Sequence, residues 1–282
     1  MNTADERIGF IQGRLSPIVN GRIQCFPADH WRNEFTIAEK LGISVLEWTL
    51  DEEGLLENPM LTESGRREIE QLSRKHRLAV KSVTCDHFMQ APFFRGTEAE
   101  RRERIGKMRK VIESAGAVGA EILVVPLVDN SSIGSAEDGN RLLDGMRGLV
   151  PALREHGVRI AYETDFPPER VLSLLEGLPT ELFGINYDIG NSASLGYDPS
   201  KELRAYGHRV IHVHVKDRVR GGTTVPLGTG NADFQSVFDE LRRVNYGGFF
   251  VLQTARAVDD DHETVLGRYR DFVREEVSRR WT

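Results

Sequence analysis

The 282-residue sequence predicts an α/β fold of the (β/α)8, or TIM, barrel class. Eight short apolar segments rich in β-branched residues alternate with longer amphipathic segments, which is typical of βαβ units and a parallel sheet. Polar residues follow many of the apolar segments, and a barrel gathers the carboxyl ends of all its strands at one mouth. Such barrels usually have about 250 residues, so we expect a single TIM-barrel domain over residues 1–282.

The predicted strands are the eight apolar segments, at 8–12, 44–49, 79–84, 121–126, 158–163, 183–188, 209–214 and 248–253. Apolar residues at three- and four-residue spacing predict helices between them, over 66–77, 100–119 and 138–157. A last helix over 261–280 would close the ring. Pro151 should kink or split the third of these helices, because proline has no N–H to donate. An open doubly wound sheet is disfavoured, since no GxGxxG turn follows the first segment.

Composition and charge exclude several classes of protein. The net charge of −6 gives no gain from counterion release on DNA, so we expect no nucleic-acid partner. No run approaches the roughly 18 apolar residues of a membrane span, and the first residues carry no apolar signal-peptide core. Cys25 and Cys85 are too few for a disulfide framework. We therefore expect a cytoplasmic protein with reduced thiols and no contact with membranes.

Polar residues end the last four predicted strands. Glu163, Asp188, His214 and Gln253 each follow an apolar run. A carboxylate at the end of a buried strand costs several kcal/mol unless it is paired or bound to a cation. Two carboxylates, an imidazole and an amide oxygen suit Mn²⁺, Mg²⁺, Zn²⁺, Co²⁺ or Fe²⁺. The sequence therefore predicts one divalent metal ion at the mouth of the barrel.

Strand parity in IHVHVKD supports this prediction. Because successive side chains of a strand point to opposite faces, His212, His214 and Lys216 share one face. If the intervening valines face the helices, both histidines face the barrel interior. His214 is closer to the mouth and is the better ligand, whereas His212 would lie one layer below and act on its neighbour.

Several motifs recur along the chain in a fixed order: GFIQGRL, VLEW, YETD, YDIGN, HVHVKD and LGTGNADF followed by GGFFVLQ. With them the sequence resembles the xylose isomerase-like barrels, a family that includes sugar-phosphate isomerases and epimerases, ketose 3-epimerases, inosose dehydratases and endonuclease IV. The resemblance covers nearly the whole chain. It implies a metal-dependent isomerase or epimerase with a small-molecule carbohydrate substrate, and it leaves a homodimer or homotetramer open.

The resemblance also implies a ligand set. Ketose epimerases and isomerases of this family hold their metal with Glu, Asp, His and Glu, which by position are Glu163, Asp188, His214 and Gln253. Both glutamates also act as acid–base groups in those relatives, so the catalytic positions here are Glu163 and Gln253. An amide has no proton to shuttle near neutral pH. This departure favours one-base isomerase or lyase chemistry, in which Glu163 removes a proton next to a carbonyl and the cation stabilises the enediolate.

Further residues are candidates for substrate binding, each with an ordinary structural alternative. Arg14 and Arg256 follow strands one and eight and are placed to clamp a phosphate or carboxylate, or else are solvated rim charges. Trp48 is a candidate that could equally be a core residue, and Asn191 is one that could equally cap a helix. By the same resemblance, Glu169 matches a substrate-binding Glu of the ketose epimerases, although its position is also that of a helix first turn. His212 and Lys216 are the remaining candidates, and Lys216 could instead form a surface ion pair. The long segments 85–97 and 215–232 should form the rim, and the aromatic FMQAPFF should be a lid or an oligomer contact. Gly228 and Gly230 are a candidate phosphate cradle.

Three other functions compete with a sugar isomerase or epimerase. A dehydratase or lyase on a keto-sugar or cyclitol needs only one base, which Glu163 supplies. A non-catalytic metabolite-binding relative would explain Gln253, although Glu163 argues against it. An abasic-site endonuclease is disfavoured, because the extra histidines of its three-zinc site are missing and the net charge is negative.

Overall fold

The computed structural model describes residues 4–281 and shows a closed barrel of eight parallel strands. The strands are β1 (Ile8–Ile11), β2 (Val45–Thr49), β3 (Ala79–Thr84), β4 (Ile122–Leu127), β5 (Arg159–Thr164), β6 (Phe183–Asp188), β7 (Val210–Val215), β8 (Asp217–Arg218), β9 (Thr224–Val225) and β10 (Phe250–Leu252). β8 and β9 form a small antiparallel hairpin on the rim. The other strands close the barrel in the order β1, β10, β7, β6, β5, β4, β3 and β2.

Helices connect the strands outside the barrel. The α-helices are α1 (Trp31–Leu41), α2 (Glu63–His76), α3 (Asp86–Gln90), α4 (Glu98–Ala117), α5 (Ala136–His156), α6 (Ile189–Leu195), α7 (Pro199–Tyr206), α8 (Phe234–Arg243) and α9 (His262–Arg280). Short 3-10 helices lie at Ala4–Arg7, Leu55–Glu57, Pro59–Leu61, Asp129–Ser131, Val171–Leu175 and Gly207–Arg209. The β5–β6 connection therefore carries a short 3-10 helix instead of a long α-helix. Within residues 4–281, no helix combines the length and apolarity needed to cross a bilayer.

The predicted barrel is confirmed, and each barrel strand lies within two residues of its predicted segment. The four predicted helices are present as α2, α4, α5 and α9. Local capping explains where they begin. Thr97 and Glu100 form a capping box at the start of α4, and Ser135 and Asp261 accept N–H groups at the starts of α5 and α9.

Of the two outcomes expected for Pro151, a kink or a split, the split is wrong, because α5 runs without interruption from Ala136 to His156. Pro151 lies on the exposed face, as does Arg147, whose carbonyl loses its partner to the proline ring. Water can satisfy a carbonyl on that side. The opposite face of the helix packs on the core and keeps the helix continuous; its buried residues are Leu142, Gly145, Met146, Leu149, Ala152 and Leu153.

The barrel interior is apolar below and polar near the carboxyl ends of the strands. Ile122, Val124 and Ala161 form a small cluster, with Ile211 packed against it. Val124 pairs with Ala161, and two residues further along β5 is Glu163. Because residues two apart on a strand share a face, Glu163 also points inward, one layer nearer the mouth. The pairing of β4 with β5 therefore places the Glu163 carboxylate near the carboxyl ends of the strands, above the apolar cluster.

Candidate metal and substrate site

Three sequence-selected residues converge at the mouth of the barrel. Glu163, Asp188 and His214 are buried, and each offers one ligand atom within 4.8 Å of those of the other two. His214 Nδ1 lies 3.1 Å from Glu163 Oε2 and 3.9 Å from Asp188 Oδ2. Asp188 and His214 are direct partners in the β6–β7 register, which explains why they meet.

Glu47 in β2 orients the histidines from the far side of the barrel. His214 Nε2 donates to Glu47 Oε1 at 2.7 Å, and His212 Nε2 donates to Glu47 Oε2 at 2.6 Å. Ser82 Oγ also donates to Glu47 Oε2, at 2.6 Å. All four side chains are fully buried. Since Glu47 holds His214 through Nε2, Nδ1 is the nitrogen that faces Glu163 and Asp188.

Inside the barrel, the negative charge of Glu47 is balanced by the imidazoles of His212 and His214. Burial by itself raises the pKa of Glu47, but the adjacent His214 and His212 hold it well below its ordinary value. Burial by itself lowers the pKa of His214, but the charge of Glu47 and hydrogen bonds with Glu163 and Glu47 raise it to about 10. Burial dominates at His212 and lowers its pKa. The electrostatic environment of His214 is thus strongly negative, as a cation site requires.

Two asparagines position the Glu163 carboxylate. Asn191 Nδ2 donates to Oε1 at 2.7 Å, and Asn186 Nδ2 donates to Oε2 at 2.8 Å. The backbone N–H of Asn191 also donates to Asp188 Oδ1 at 2.8 Å, so Asp188 caps the start of α6. The structure thus shows the helix-cap alternative for the Asn191 backbone, and its side chain, which also lines the cavity, orients the Glu163 carboxylate.

Lys216 places an ammonium group among the oxygens at the top of the site. Its Nζ donates to Gln253 Oε1 at 2.9 Å, to Asp188 Oδ2 at 3.1 Å and to Asn191 Oδ1 at 3.2 Å. Gly190 makes room for the lysine stem, because a Cβ there would lie 2.6 Å from Lys216 Cγ. The oxygens of Asp188 and Gln253 are thus oriented so that both already contact one cation.

The donor set fits a divalent metal ion. Two carboxylates and an imidazole that releases its Nδ1 proton when a metal binds, with an amide oxygen beside them, are ligands suited to Mn²⁺, Mg²⁺, Zn²⁺ or Co²⁺. The carboxylate–imidazole pair of Glu47 and His214 is the arrangement that usually fixes a metal-binding histidine in its ring orientation. The residues that would hold the ion are Glu163, Asp188 and His214, with Gln253 Oε1 as the fourth donor.

A cavity of about 460 Å³ opens above these residues. Its wall carries polar side chains from strand ends and from the loops that follow them, including Gln24, Asp86, Glu163, Lys216, Arg218 and Gln253. This volume is in the range of small-molecule sites, which run from about 300 to 1,000 Å³. Arg218 is fixed by Gly222, whose carbonyl accepts from its Nη2 at 2.7 Å, and by Asn191, whose Oδ1 accepts from its Nη1 at 2.8 Å.

The two arginines expected to clamp the substrate are engaged with the backbone. Arg14 donates from Nε to the Thr254 carbonyl at 2.9 Å and from Nη1 to the Ile23 carbonyl at 2.8 Å. Arg256 donates to the carbonyls of Gly13 and Ser16. Neither lines the 460 Å³ cavity. In this structure they tie the β1 loop to the end of β10.

Three other expected contacts also lie away from the cavity lining. Trp48 is fully buried, packs edge-on against Trp31 and donates from Nε1 to Asn58 Oδ1 at 2.9 Å, so it is core. Glu169 is exposed on the turn that precedes the 3-10 helix at Val171–Leu175. His212 lies one layer below His214, as its strand parity predicts, and acts through Glu47.

The rim segments differ from their expected roles. In FMQAPFF, the rings of Phe88, Phe93 and Phe94 are buried and pack on one another, so they belong to the core. The turn at 228–230 already binds an anion, because Asp217 Oδ2 accepts the N–H groups of Gly228 and Gly230 at 2.9 Å each. This internal carboxylate occupies the place that a phosphate would take.

Sequence reasoning missed Gln24, Asp86 and the role of Glu47. Glu47 was visible as the polar end of strand two, and its pairing with the histidines follows once strands on opposite sides of a barrel are considered together. Asp86 is the second residue after β3 and the first residue of α3, so it also lies near a strand end. Gln24 lies in the β1–α1 loop, 13 residues beyond Ile11, and no local pattern indicates that it reaches the cavity.

Comparison with known proteins defines the family. Residues 35–275 match the model of the xylose isomerase-like TIM barrel family, and the chain belongs to that family. A curated relative, L-ribulose-5-phosphate 3-epimerase UlaE of Escherichia coli (strain SMS-3-5 / SECEC), is 26% identical over 267 residues, which cover 88% of this chain and 90% of the relative.

Solved structures share the fold. A D-allulose 3-epimerase from Methylomonas sp. in complex with D-allulose has a TM-score of 0.72 and 18% identity, over 96% of this chain and 98% of that one. A xylose isomerase-like TIM barrel protein from Mycobacterium smegmatis in complex with magnesium has a TM-score of 0.73 and 15% identity, over 100% of both chains. At these identities the likeness establishes the architecture.

Proposed function

We propose that this protein is a divalent-metal-dependent enzyme that isomerises or epimerises a small ketose or its phosphate. The observation that carries the proposal is the convergence of Glu163, Asp188 and His214 beneath a polar cavity of about 460 Å³. The kinship with a sugar-phosphate 3-epimerase supports an isomerase or epimerase. The buried Glu47–His214 pair supports a metal role, since a satisfied core histidine needs no carboxylates at both ring nitrogens.

A bound divalent cation would polarise a substrate carbonyl and lower the pKa of the neighbouring C–H bond. Glu163 is the base: its carboxylate is held by Asn186 and Asn191 and has one face toward the cavity. It removes the proton from the carbon next to the carbonyl, and the electron pair moves to the carbonyl oxygen to give an enediolate. Lys216 and Arg218 offer N–H donors to the substrate hydroxyl groups from the same wall.

Gln253 favours a second candidate, a dehydratase or lyase acting on a keto-sugar or cyclitol. Its amide is hydrogen-bonded at both ends, from Lys216 at 2.9 Å and to Gln24 at 3.0 Å, and carries no ionisable proton. A dehydratase that removes one α-proton and expels hydroxide needs one base only. The retained Glu163 is common to both candidates, and the two differ in whether water is lost.

Proton exchange tests the proposal across several sugars at once. The protein, loaded with Mn²⁺ or Mg²⁺ in D₂O, is incubated with L-ribulose 5-phosphate, D-allulose, D-fructose and D-tagatose, and the carbon-bound protons are followed by NMR. We expect at least one sugar to take up deuterium next to its carbonyl, and we expect chelation or Glu163→Gln to abolish the uptake. Uptake of deuterium by none of the sugars would overturn the proposal, and loss of water would assign the lyase.

A further inference from the structure

We propose that Asp86 is a second acid–base group of this site, which protonates the substrate carbon on the face opposite Glu163. This inference rests on the proposed function and gives it a direction: inversion at a carbon instead of proton transfer on one face. In two-base epimerisation one group must remove a proton and another must deliver one from the other side, and Gln253 cannot do either.

The position of Asp86 in the barrel suits that task. Its strand, β3, carries Ser82 and Thr84 on the interior face, and Asp86 follows two residues after Thr84. Asp86 is only 8% exposed, and what is exposed borders the same cavity as Glu163. It is therefore a buried carboxyl group with access to the substrate space. Its hydrogen-bond donor, Gln24, is neutral, whereas a buried carboxylate is usually paired with a cation.

A chain of hydrogen bonds joins Asp86, which follows β3 two strands from β5 in the ring, to the wall across from Glu163. Asp86 Oδ2 accepts from Gln24 Nε2 at 2.7 Å, and Gln24 Oε1 accepts from Gln253 Nε2 at 3.0 Å. Gln24 belongs to the loop that follows β1, and β1 is the strand directly opposite β5 in the eight-membered ring. A sugar held above His214 would have Glu163 on the β5 side of the cavity and Asp86 at the end of β3, where Gln24 holds its carboxyl group toward the β1 loop.

Burial, more than the neighbouring charges, favours the protonated form of Asp86 near neutral pH. Burial raises its pKa to about 7, with further contributions from Asp51, Glu163 and Glu47, while the hydrogen bond from Gln24 opposes the rise. Arg14 is the cation that also faces it, and its own pKa is lowered to about 9, chiefly by burial. A carboxyl group poised near the working pH is suited to general acid–base catalysis.

The step balances without a further reactant. Glu163 takes the proton from the carbon, whose bonding pair moves toward the carbonyl oxygen. The electron pair of the enediolate then returns to the same carbon and forms a new C–H bond with the proton of the Asp86 carboxyl group. The products are the epimer, a protonated Glu163 and an ionised Asp86, and one proton exchanged through solvent restores both groups.

Asp86→Asn separates this inference from the proposed function, because removal and delivery of the proton are measured apart. Each of the four sugars is incubated with the Mn²⁺-loaded protein in D₂O; NMR follows deuterium uptake and chromatography follows the epimer. We expect wild type to do both. We expect Asp86→Asn to keep deuterium uptake within about tenfold of wild type and to slow epimer formation by about 100-fold or more. Asp144→Asn, which neutralises an exposed acid on α5, is the matched control and should leave both rates unchanged.

Each other outcome is decisive. If the Asp86→Asn variant still forms the epimer at the wild-type rate, the role of Asp86 is overturned. The same holds if the variant loses deuterium uptake and inversion together. Wild type that takes up deuterium but never inverts a carbon overturns it as well and leaves the proposed function standing. Wild type that labels none of the sugars overturns the proposed function, and this inference falls with it. Melting curves and Mn²⁺ titrations of the variant show whether a loss of inversion reflects catalysis or damage to the fold.

Discussion

Glu47 Oε1 lies 2.7 Å from His214 Nε2, although the two residues are 167 positions apart in the chain and come from opposite parts of the barrel. The contact leaves His214 Nδ1 facing Glu163 and Asp188. The contact links β2, which carries no proposed metal ligand, to β7, which carries His214. The geometry of the proposed metal centre therefore depends on a residue outside it.

Glu47→Gln should weaken metal binding. The amide keeps the size of the side chain, but it removes the charge that fixes the His214 ring and increases its basicity. Loss of such a partner typically costs 10- to 100-fold in metal affinity, and we expect a decrease of that size in a Mn²⁺ titration. Glu39→Gln is the matched control, because Glu39 pairs with His76 at 2.8 Å far from the barrel mouth. Equal affinities of the Glu47 variant and wild type would contradict the orienting role.

Gln253→Glu should tighten metal binding. The substitution adds a third negative charge to the donor set at the position where Gln253 already meets the Lys216 ammonium. We expect Mn²⁺ affinity to rise by about tenfold, which corresponds to about 1.4 kcal/mol, and we expect any rate of inversion to change with it. Gln71→Glu, on the exposed face of α2, adds the same charge elsewhere and should change neither. An unaltered affinity would show that residue 253 does not contact the ion.

Lys216→Met tests whether the ammonium group competes with the metal. Its Nζ holds both Asp188 Oδ2 and Gln253 Oε1, and a divalent ion that used these oxygens would have to displace it. We expect the methionine variant to bind Mn²⁺ several-fold more tightly, roughly 3- to 10-fold, and to turn over sugars more slowly. Lys201→Met on α7 serves as the control, because Lys201 is exposed. Weaker binding in Lys216→Met would mean that the lysine organises the site instead of competing for it.

Much of this arrangement follows from sequence, and the remainder does not for physical reasons. The alternation of β-branched segments with amphipathic ones determines the barrel, and strand parity places His212 and His214 inside it. Parity alone cannot show that Glu47 spans the barrel to reach them, because that depends on the register between strands distant in the chain. Arg14 and Arg256 lie where a substrate clamp was expected, but both guanidinium groups donate hydrogen bonds to backbone carbonyls of loops. Loop paths decide such contacts, as they do for Gln24, and local sequence patterns do not encode loop paths.

Glu34 should make stability depend on pH. This carboxyl group is fully buried beneath the β1 loop, and burial raises its pKa to about 7, despite hydrogen bonds from the N–H groups of Gly13 and Leu15 and the nearby charge of Arg256. The fold therefore favours the protonated form. The contribution of protonated Glu34 to the stability of the fold is present in full below about pH 4.3, the pKa of a glutamate in the unfolded chain. This contribution is lost as the pH rises through about 7, the pKa of Glu34 in the folded protein.

The measurement is urea unfolding between pH 4.5 and 7.5. We expect the free energy of unfolding of wild type to fall across this range, by an amount on the order of 3 kcal/mol or less from Glu34. Asp86 changes its charge over the same range and adds to the slope, so the comparison is made between variants. Glu34→Gln should show a shallower slope than wild type. Identical slopes would mean that Glu34 is ionised throughout.

Metal content is the most direct test of the central claim, that one divalent ion binds between Glu163, Asp188 and His214. The protein is stripped with chelator, dialysed against Mn²⁺ and analysed for bound metal, beside Asp188→Asn and the Glu39→Gln control. We expect about one ion per chain in wild type and in the control, and a loss of at least 10-fold in affinity in Asp188→Asn. A wild-type protein that retains no metal, or an Asp188→Asn variant that binds it as tightly as wild type, would show that no ion binds between these three residues.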